Sequence, residues 1–539
     1  MEAKTQSCRN CQQNFTIEPD DFSLYQKLQV PAPEMCQDCR QEKRIIFRNF
    51  KTLYKRPSSK SGVSMITMYS PDVPFPVYTH DEWWADDWDA KSYGRDFDFN
   101  RPFFEQFQEL LNVVPRQPSM VVRSDECEYS NSVYDSKRCY LIAGGIDIEN
   151  CDYGHIVYES RDCIDNLYIR KCELCYECID CINCNRLLYS QDCEDCMDSI
   201  GLYNCRGCMN CFGCSGLRQK FYCIFNEQVT KEEYQQFINE HPIADPATHE
   251  LIRQKQFDFN RILPQRHMQG SHNVNVAGNH IWNGKNLRYC FDVKNSEDSQ
   301  FVFTSRNFKD CHDVSFSPDV EESYYVLTAP KSARIFFSHF CNASHDIWYS
   351  DSVFSSSELF GCAGLRSSEY CIFNKQYSKE EYLALKTKII EHMKSTGEWG
   401  KWFPVSLSPF AYNESIVNEY TPRTKEEALA LGYRWKDNIP TTRGQENNDP
   451  DLLKRIMKCE TCAKNYRFID RELVFYKKLN LPLPSQCFNC RHQRRMDLRL
   501  PRKLWKRECA HCKKEIETSY SPDRPEIVYC EKCYQKEVL

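Results

Sequence analysis

The chain has 539 residues, of which 41% are hydrophobic, and a formal net charge of −6. This length is enough for several packed domains, and no apolar run approaches the 18 residues that would indicate a membrane-spanning helix. The residues before Cys8 are polar and lack the pattern of a signal peptide, so we expect a cytoplasmic protein. In that compartment the 33 cysteines are expected to be reduced or bound to metal rather than paired in disulfides.

Charge is unevenly distributed along the chain. Residues 1–60 carry 11 Lys and Arg against 7 Asp and Glu, and residues 451–539 carry 21 against 12, so the middle is strongly acidic. Basic ends on an acidic body predict that the ends meet an anionic partner.

Both ends contain two CxxC pairs with 24 residues between them, and the two copies align without a gap at an offset of 451 residues. Such pairs are typical of a closed structural zinc site made of four thiolates. The C-terminal copy holds a further set, whereas the N-terminal copy has Ser58, Ser61, Thr79 and Glu82 at those positions, which are a poor ligand set for zinc. The sequence therefore predicts three zinc ions, bound by Cys8, Cys11, Cys36 and Cys39 (the first set), by Cys459, Cys462, Cys487 and Cys490 (the second set), and by Cys509, Cys512, Cys530 and Cys533 (the third set).

A basic run follows the second CxxC pair of each copy, where a treble-clef finger places a helix. These runs are predicted to hold nucleic acid by contacting phosphates, or else to form an ordinary solvated face that also shields thiolate charge. The residues are Arg40, Lys43, Arg44 and Arg48 in the first copy, and Arg491, Arg494, Arg495 and Arg499 in the second.

Between the termini lies a stretch in which neighbouring cysteines are separated by multiples of three residues, from Cys127 to Cys223. A twelve-residue period is superposed on it, with Cys127, Cys139, Cys151 and Cys163 in one column. A helix repeats near 3.6 residues and a strand near 2, so we favour a β-solenoid with four three-residue sides per coil over a bundle of polyproline-II strands. Only small residues fit so narrow an interior.

The same period fits a second stretch, which ends in FGCAGLRSSEYCIFN where the first ends in FGCSGLRQKFYCIFN. A capping box follows each, beginning at Thr230 and Ser378. Asn100 is expected to cap a helix that covers the first coil of the first solenoid. The predicted fold is mostly β, with two duplicated solenoids capped by helices and flanked by four-cysteine zinc-ribbon or treble-clef domains. The predicted segments are 1–60 (four-cysteine zinc finger), 61–95 (degenerate lobe), 96–122 (capping helix), 123–226 (first repeat), 227–270 (helix and connector), 271–374 (second repeat), 375–450 (helix and linker) and 451–539 (two four-cysteine lobes).

The seventh column of the twelves is expected to face outward. It is largely aromatic, but Asp165 and Glu177 interrupt it in the first repeat, and Asp313 occupies the position equivalent to Asp165. An aromatic ladder of this kind stacks bases or a protein partner, or else simply stabilises the sheet. The interior cysteines are interpreted as core packing, with metal or redox chemistry as the alternative.

CxxC…CxxCR, DFDFNRPFFEQF, FGCxGLR…YCIFN and SPFAYNES…TKEEALALGYRW together resemble a family of zinc-ribbon or treble-clef proteins with Cys-rich repeats from uncultivated small-genome bacteria. The resemblance covers nearly the whole chain and implies zinc binding through the CxxC pairs, but no activity. No catalytic constellation appears in the sequence. The leading hypothesis is a non-enzymatic, zinc-dependent protein that binds RNA or the ribosome through its basic fingers. The alternatives are a protein-interaction scaffold that does not touch nucleic acid, and a thiol-redox or metal-storage protein.

Overall fold

The structure is a computed structural model, and it describes residues 2–538. It contains more strand (31%) than helix (23%). The chain divides into two compact units, the first made of the residues up to Pro118 with Gly270–Asn438, and the second of Ser119–Gln269 with the residues from Ile439 onward. None of the helices among the described residues combines the length and the apolar character needed to cross a membrane.

The α-helices are α1 (Pro19–Lys27), α2 (Gln37–Ile45), α3 (His80–Trp84), α4 (Phe103–Val113), α5 (Lys231–Glu240), α6 (Pro246–Ile262), α7 (Lys379–Ser395), α8 (Val417–Tyr420), α9 (Lys425–Ala430), α10 (Asp470–Lys478), α11 (Phe488–Asp497) and α12 (Glu531–Glu537). Short 3₁₀ helices cover Ala90–Tyr93, Val405–Leu407 and Tyr412–Glu414. The terminal segments contain the strands Lys4–Ser7, Asn14–Ile17, Tyr54–Pro57, Ser64–Thr67, Met457–Lys458, Asn465–Tyr466, Trp505–Glu508, Glu515–Thr518 and Val528–Tyr529.

The strands of the first repeat and its flanks are Val121–Val122, Asp125–Glu128, Asn131–Tyr134, Lys137–Tyr140, Ala143–Ile146, His155–Tyr158, Leu167–Arg170, Asn185–Leu188, Met197–Ile200, Met209–Phe212, Phe221–Ile224, Glu227–Gln228 and Gln265–Arg266. Those of the second repeat are Gly270–Ser271, Val274–Gln300, Phe303–Arg306, Phe308–Lys309, His312–Ser315, Val320–Glu321, Tyr324–Leu327, Ser332–Asn342, His345–Trp348, Asp351–Phe354, Ser357–Phe360, Glu369–Ile372 and Lys375–Gln376.

Most strands within each repeat pair in parallel with an offset of twelve residues. The exceptions are the antiparallel pairings of Glu227–Gln228 and Lys375–Gln376 at the ends of the repeats, and Gly270–Ser271, whose offset is eleven. Cys127 lies opposite Cys139, and Cys211 lies opposite Cys223 in the first repeat. In the second repeat Ile335 lies opposite Ile347, which lies opposite Leu359. The pairing therefore has the same period as the sequence, and each column of equivalent residues forms a ladder across neighbouring strands.

The backbone turns at every third residue of a repeat. From Glu126 to Leu141, each third residue has a φ between 50° and 58°, in the left-handed region. Asn and Asp tolerate this region best among the residues other than Gly, which accounts for their frequency there, as at Asp162, Asp180 and Asn183. The left-handed residues therefore recur at a quarter of the twelve-residue pairing period.

The interior of each repeat is lined by side chains that form hydrogen bonds with backbone groups of the same repeat. The Cys163 thiol donates to the Arg161 carbonyl at 3.1 Å and lies 3.5 Å from the Cys172 carbonyl. In the second repeat the Ser299 hydroxyl donates to the Glu297 carbonyl at 2.8 Å and accepts from the Cys311 N–H at 2.9 Å. The hydrogen-bonding groups of serine and cysteine thus both find partners at inward positions, because each side chain is small and carries a donor.

Helix α4 was expected to cover the first coil of the first repeat, and the structure corrects this. Phe103 packs instead against Tyr349, Phe360 and Phe373 of the second repeat, with ring centroids 5.2–5.6 Å apart. Asn100 is not the N-cap. The first N–H groups of the helix, at Phe103 and Phe104, donate to the Glu398 carboxylate, each at 2.8 Å. The capping group comes from a residue almost 300 positions away, which sequence inspection cannot identify.

Candidate metal centres and the arginine contacts

Each predicted four-cysteine set is assembled from a turn between two antiparallel strands and the start of a helix. In the first set the turn carries Cys8 and Cys11, and Cys36 is the N-cap of α2. Cys487 and Cys530 cap α11 and α12 in the same way. A helix N-terminus is a favourable place for thiolate charge, so the local structure prepares the cysteines for a cation.

The four sulfur atoms of each set lie within 4.8 Å of one another. The pairs Cys11–Cys36, Cys462–Cys487 and Cys512–Cys530 have Sγ–Sγ distances of 3.7, 3.7 and 3.8 Å. Zinc bound tetrahedrally at about 2.3 Å from each sulfur would place sulfurs about 3.8 Å apart. The three sets can therefore hold a metal ion, and their geometry fits zinc.

Donors around the sulfurs support the same interpretation. The Cys36 N–H lies 3.3 Å from the Cys8 sulfur, and the Cys530 N–H lies 3.2 Å from the Cys509 sulfur. Asn10 donates its side-chain amide to the Cys39 sulfur at 3.3 Å. Such outer contacts stabilise thiolates and orient metal ligands.

The fourth lobe, formed by residues 54–84, has the hairpin and the helix of the third set without its cysteines. Tyr54–Pro57 and Ser64–Thr67 form the hairpin, and Thr79 caps α3. The Ser58 hydroxyl donates to the Glu82 carboxylate, and the Thr79 N–H donates to it at 2.9 Å. Burial raises the pKa of Glu82, but the hydrogen bonds from Ser58, Ser61 and Thr79 outweigh it and lower this pKa to about 2. A hydrogen-bonded carboxylate thus links the elements that a metal ion would link.

The basic run of the first copy is directed at a carboxylate of the second repeat. The guanidinium groups of Arg40 and Arg44 form ion pairs with Asp313 at 3.0 and 3.2 Å, and the three side chains are 0–3% exposed. Burial tends to raise the pKa of Asp313, but the charge of Arg40 and the hydrogen bond to His312 outweigh it, so this pKa lies well below its usual range. Arg40 also lies over the Phe301 ring, 5.1 Å from its centroid.

The basic run of the second copy makes the equivalent contact with the first repeat. Arg491 and Arg495 form ion pairs with Asp165, each at 2.9 Å, and both guanidinium groups are almost fully buried. Arg495 and Arg494 also pair with Glu177, at 2.8 and 2.7 Å. Asp165 and Asp313 are thus equivalent in sequence and in contact, so the two units repeat one docking arrangement.

The other predicted phosphate contacts have similar environments. Arg499 pairs with Asp180 at 2.7 Å, and Arg48 lies over Phe50 and Phe316, with centroid distances of 4.3 and 4.5 Å. Lys43 is partly exposed, and the side chain of Arg494 is 51% exposed. A buried guanidinium packed in this way is not available to a phosphate. Most of the predicted arginines instead hold a four-cysteine domain against a repeat. These residues are Arg40, Arg44, Arg48, Arg491, Arg495 and Arg499.

Two further predictions concern the repeats. Within residues 2–538, no three interior repeat cysteines bring their sulfur atoms within 4.8 Å of one another.

The aromatic column of the second repeat is covered by its own unit, since Phe337, Tyr349 and Phe373 are 0% exposed. Trp402 stacks on Tyr325 at 5.5 Å. This column is therefore core rather than an open binding face.

The acidic partners of the arginines were not assigned from the sequence. The available signal was an Asp at the same position of both repeats in an otherwise largely aromatic column.

A scan against models of known protein families gives no match, and a search of curated proteins finds no similar sequence. The geometry alone therefore carries the functional argument.

Proposed function

We propose that this protein is a non-enzymatic, zinc-dependent scaffold for protein interactions, in which each basic four-cysteine domain clamps one β-solenoid. The observation that carries the proposal is the buried contact of Arg40 and Arg44 with Asp313, repeated by Arg491 and Arg495 with Asp165. Each pair of arginines lies on the helix that begins at a cysteine of its metal set. Metal binding would hold that helix in position, and the arginines on the helix would then hold the domain against the solenoid.

The solenoid part of the proposal rests on the twelve-residue register and on the corner at every third residue. Parallel ladders with a fixed offset arise when one chain winds in equal coils. A rod of this kind has a long regular surface, which suits a scaffold. Zinc is proposed for the three four-cysteine sets because four thiolates with this sulfur spacing are its preferred structural site.

Zero-length carbodiimide cross-linking of the full chain tests the clamp. Lys27 lies 4.0 Å from Glu322 of the second repeat, and both side chains are accessible. We expect a Lys27–Glu322 cross-link in the zinc-loaded protein and its loss after chelation. Lys309–Glu297, a pair within the repeat at 2.8 Å, serves as the control that should persist. A Lys27–Glu322 yield that is unchanged after zinc is removed would contradict metal-dependent clamping.

Binding of RNA or the ribosome stays a prediction, now confined to accessible basic side chains such as the exposed Arg494 and the partly exposed Lys43. Phosphate contacts weaken steeply with salt, so titration of the full chain with RNA at two salt concentrations measures it. We expect weak binding at most, because most of the predicted contacts are committed to other groups of the same unit. Tight, salt-sensitive binding would favour the nucleic-acid hypothesis over the scaffold.

A further inference from the structure

The two repeats end in equivalent structures that differ in what covers them. The final coils share the CIFN motif, so that Phe373 and Asn374 correspond to Phe225 and Asn226. Asn374 closes the last coil by donating to the Ala363 carbonyl at 2.7 Å and accepting from the Ala363 N–H at 2.8 Å. Asn226 makes the same two bonds with Ser215, both at 2.8 Å.

In the first unit, residues 89–97 lie across this end. The second amide hydrogen of Asn374 is donated to the Ala90 carbonyl at 3.0 Å. The Arg95 N–H donates to the Phe373 carbonyl at 3.1 Å. Gly94 passes so close that an added Cβ would lie 3.0 Å from the Asn374 carbonyl oxygen. The segment is anchored at its far end by Asp96, which pairs with Lys375 at 2.6 Å.

In the second unit no described residue makes the contacts of Ala90 and Arg95. Ser215 is the acceptor present for the Asn226 amide, and no described backbone N–H donates to the Phe225 carbonyl. A cavity of about 400 Å³ opens instead beside Asn226, Gly216 and Tyr534. This volume lies within the range of ligand-binding clefts. Gly216 borders open space, since an added Cβ would meet only Leu263, at 3.9 Å.

We propose that this groove binds a short extended segment of a partner protein, in the manner in which residues 89–97 cover the first unit. In this segment, the backbone carbonyl of a small residue would accept a hydrogen bond from the side-chain amide of Asn226. The backbone N–H five positions later in the segment would donate to the Phe225 carbonyl. The residue that would anchor the segment has the opposite charge in this unit, because exposed Glu227 occupies the position equivalent to Lys375 of the second repeat. The segment is therefore expected to carry Lys or Arg at the place of Asp96, which gives the pattern Ala-x-x-x-Gly-x-Lys/Arg.

This inference rests on the proposed scaffold function and names one site of partner binding. The probes are two fluorescent peptides with the sequence of residues 88–97, one unchanged and one with Lys in place of Asp96. We expect the Lys peptide to bind the full chain about fivefold more tightly, which is the scale of an exposed ion pair. The substitution Glu227→Lys should reverse the preference. That reversal cannot arise from misfolding, since the same variant must gain affinity for the other peptide.

Blocking the groove provides the second measurement. Gly216→Trp should abolish binding of both peptides, whereas Gly207→Trp, at another left-handed glycine of the same repeat, should leave it unchanged. The proposal is overturned if neither peptide binds saturably, or if Gly216→Trp has no effect. It is also overturned if Gly216→Trp converts a dimer into a monomer without peptide competition, since the occupant would then be a second copy of the chain. The cross-linking test of the clamp does not depend on this result.

Discussion

At the scale of single residues, the decisive feature is one carboxylate shared by two buried guanidinium groups. Asp313 and the arginines that it pairs with are excluded from water. Removing one member of such a group leaves uncompensated buried charge, and this costs far more than an exposed pair contributes. The arrangement fixes which surface of the repeat the four-cysteine domain covers.

Asp313→Asn is therefore expected to destabilise the first unit by about 3–5 kcal/mol. Asp346→Asn, which removes the partially exposed partner of Arg334 in the same repeat, should cost at most about 1 kcal/mol. Urea unfolding of the two variants measures the difference. Equal losses would mean that the buried group is not what holds the domain in place.

A partly buried histidine is expected to give the first unit a dependence on pH. Burial lowers the pKa of His80 to about 4, below the ordinary value of 6.5. The unfolded chain then binds the proton more readily, so the stability contributed by neutral His80 is present above about pH 6.5 and is lost as the pH falls toward 4. We expect a loss of about 2 kcal/mol between pH 7 and pH 5 from this residue. His80→Gln should remove that part of the pH dependence in urea titrations; an unchanged slope would contradict the assignment.

At the scale of elements, the fourth lobe indicates that a metal ion can be replaced by hydrogen bonds. Its hairpin and its capped helix follow the same order as those of the third set, with Ser58, Ser61, Thr79 and Glu82 at the ligand positions. The glycine after the turn, Gly62, has the positive φ that Lys513 has in the third set. The backbone is therefore already arranged for a metal.

Replacing Ser58, Ser61, Thr79 and Glu82 together by Cys is expected to raise the bound zinc from three ions to four per chain. Elemental analysis of the purified protein measures both values. Four ions in the unchanged protein would indicate an additional site, and three in the quadruple variant would show that the lobe cannot close around a metal.

The interior of each repeat accepts small and aliphatic residues and does not require sulfur. Cys175 is 0% exposed, and its column contains Leu187 and Ser199 in later strands. Cys175→Val is expected to cost about 1–2 kcal/mol of unfolding free energy, because it adds a little volume to a packed interior and loses one weak donor. Cys175→Phe should prevent correct folding, since the packed interior around this fully buried side chain has no space for a ring. Loss of a metal or redox signal in a well-folded Cys175→Val protein would favour the chemical alternative.

At the scale of the whole molecule, each terminal four-cysteine domain is held by the repeat that is more distant in the chain. The N-terminal domain contacts the second repeat, and the C-terminal domain contacts the first. Breaking a metal set should therefore loosen a sequence-distant segment. Cys36→Ser is expected to raise amide hydrogen exchange in residues 289–325 more than in residues 141–177, and Cys487→Ser should do the opposite. An increase that follows sequence proximity would contradict this pairing.

The sequence alone determined the elements whose signals are local or periodic. The CxxC pairs, their duplication at a fixed offset and the twelve-residue period follow from covalent spacing, so the three metal-capable sets and the strand-rich middle could be predicted. The capping boxes at Thr230 and Ser378 are also local, and both are present.

The tertiary structure decided the partners of those elements. Nothing near Arg40 or Arg491 in the chain indicates whether a basic helix meets solvent, phosphate or Asp313 and Asp165, because these carboxylates are more than 250 residues away from them. The surface of the second repeat that α4 packs against, and the capping of α4 by Glu398, could not be predicted for the same reason. Hydrogen bonds within a turn are specified by neighbours, whereas the burial of a charged face depends on which distant surface has the complementary charge, and only the folded chain brings the two together.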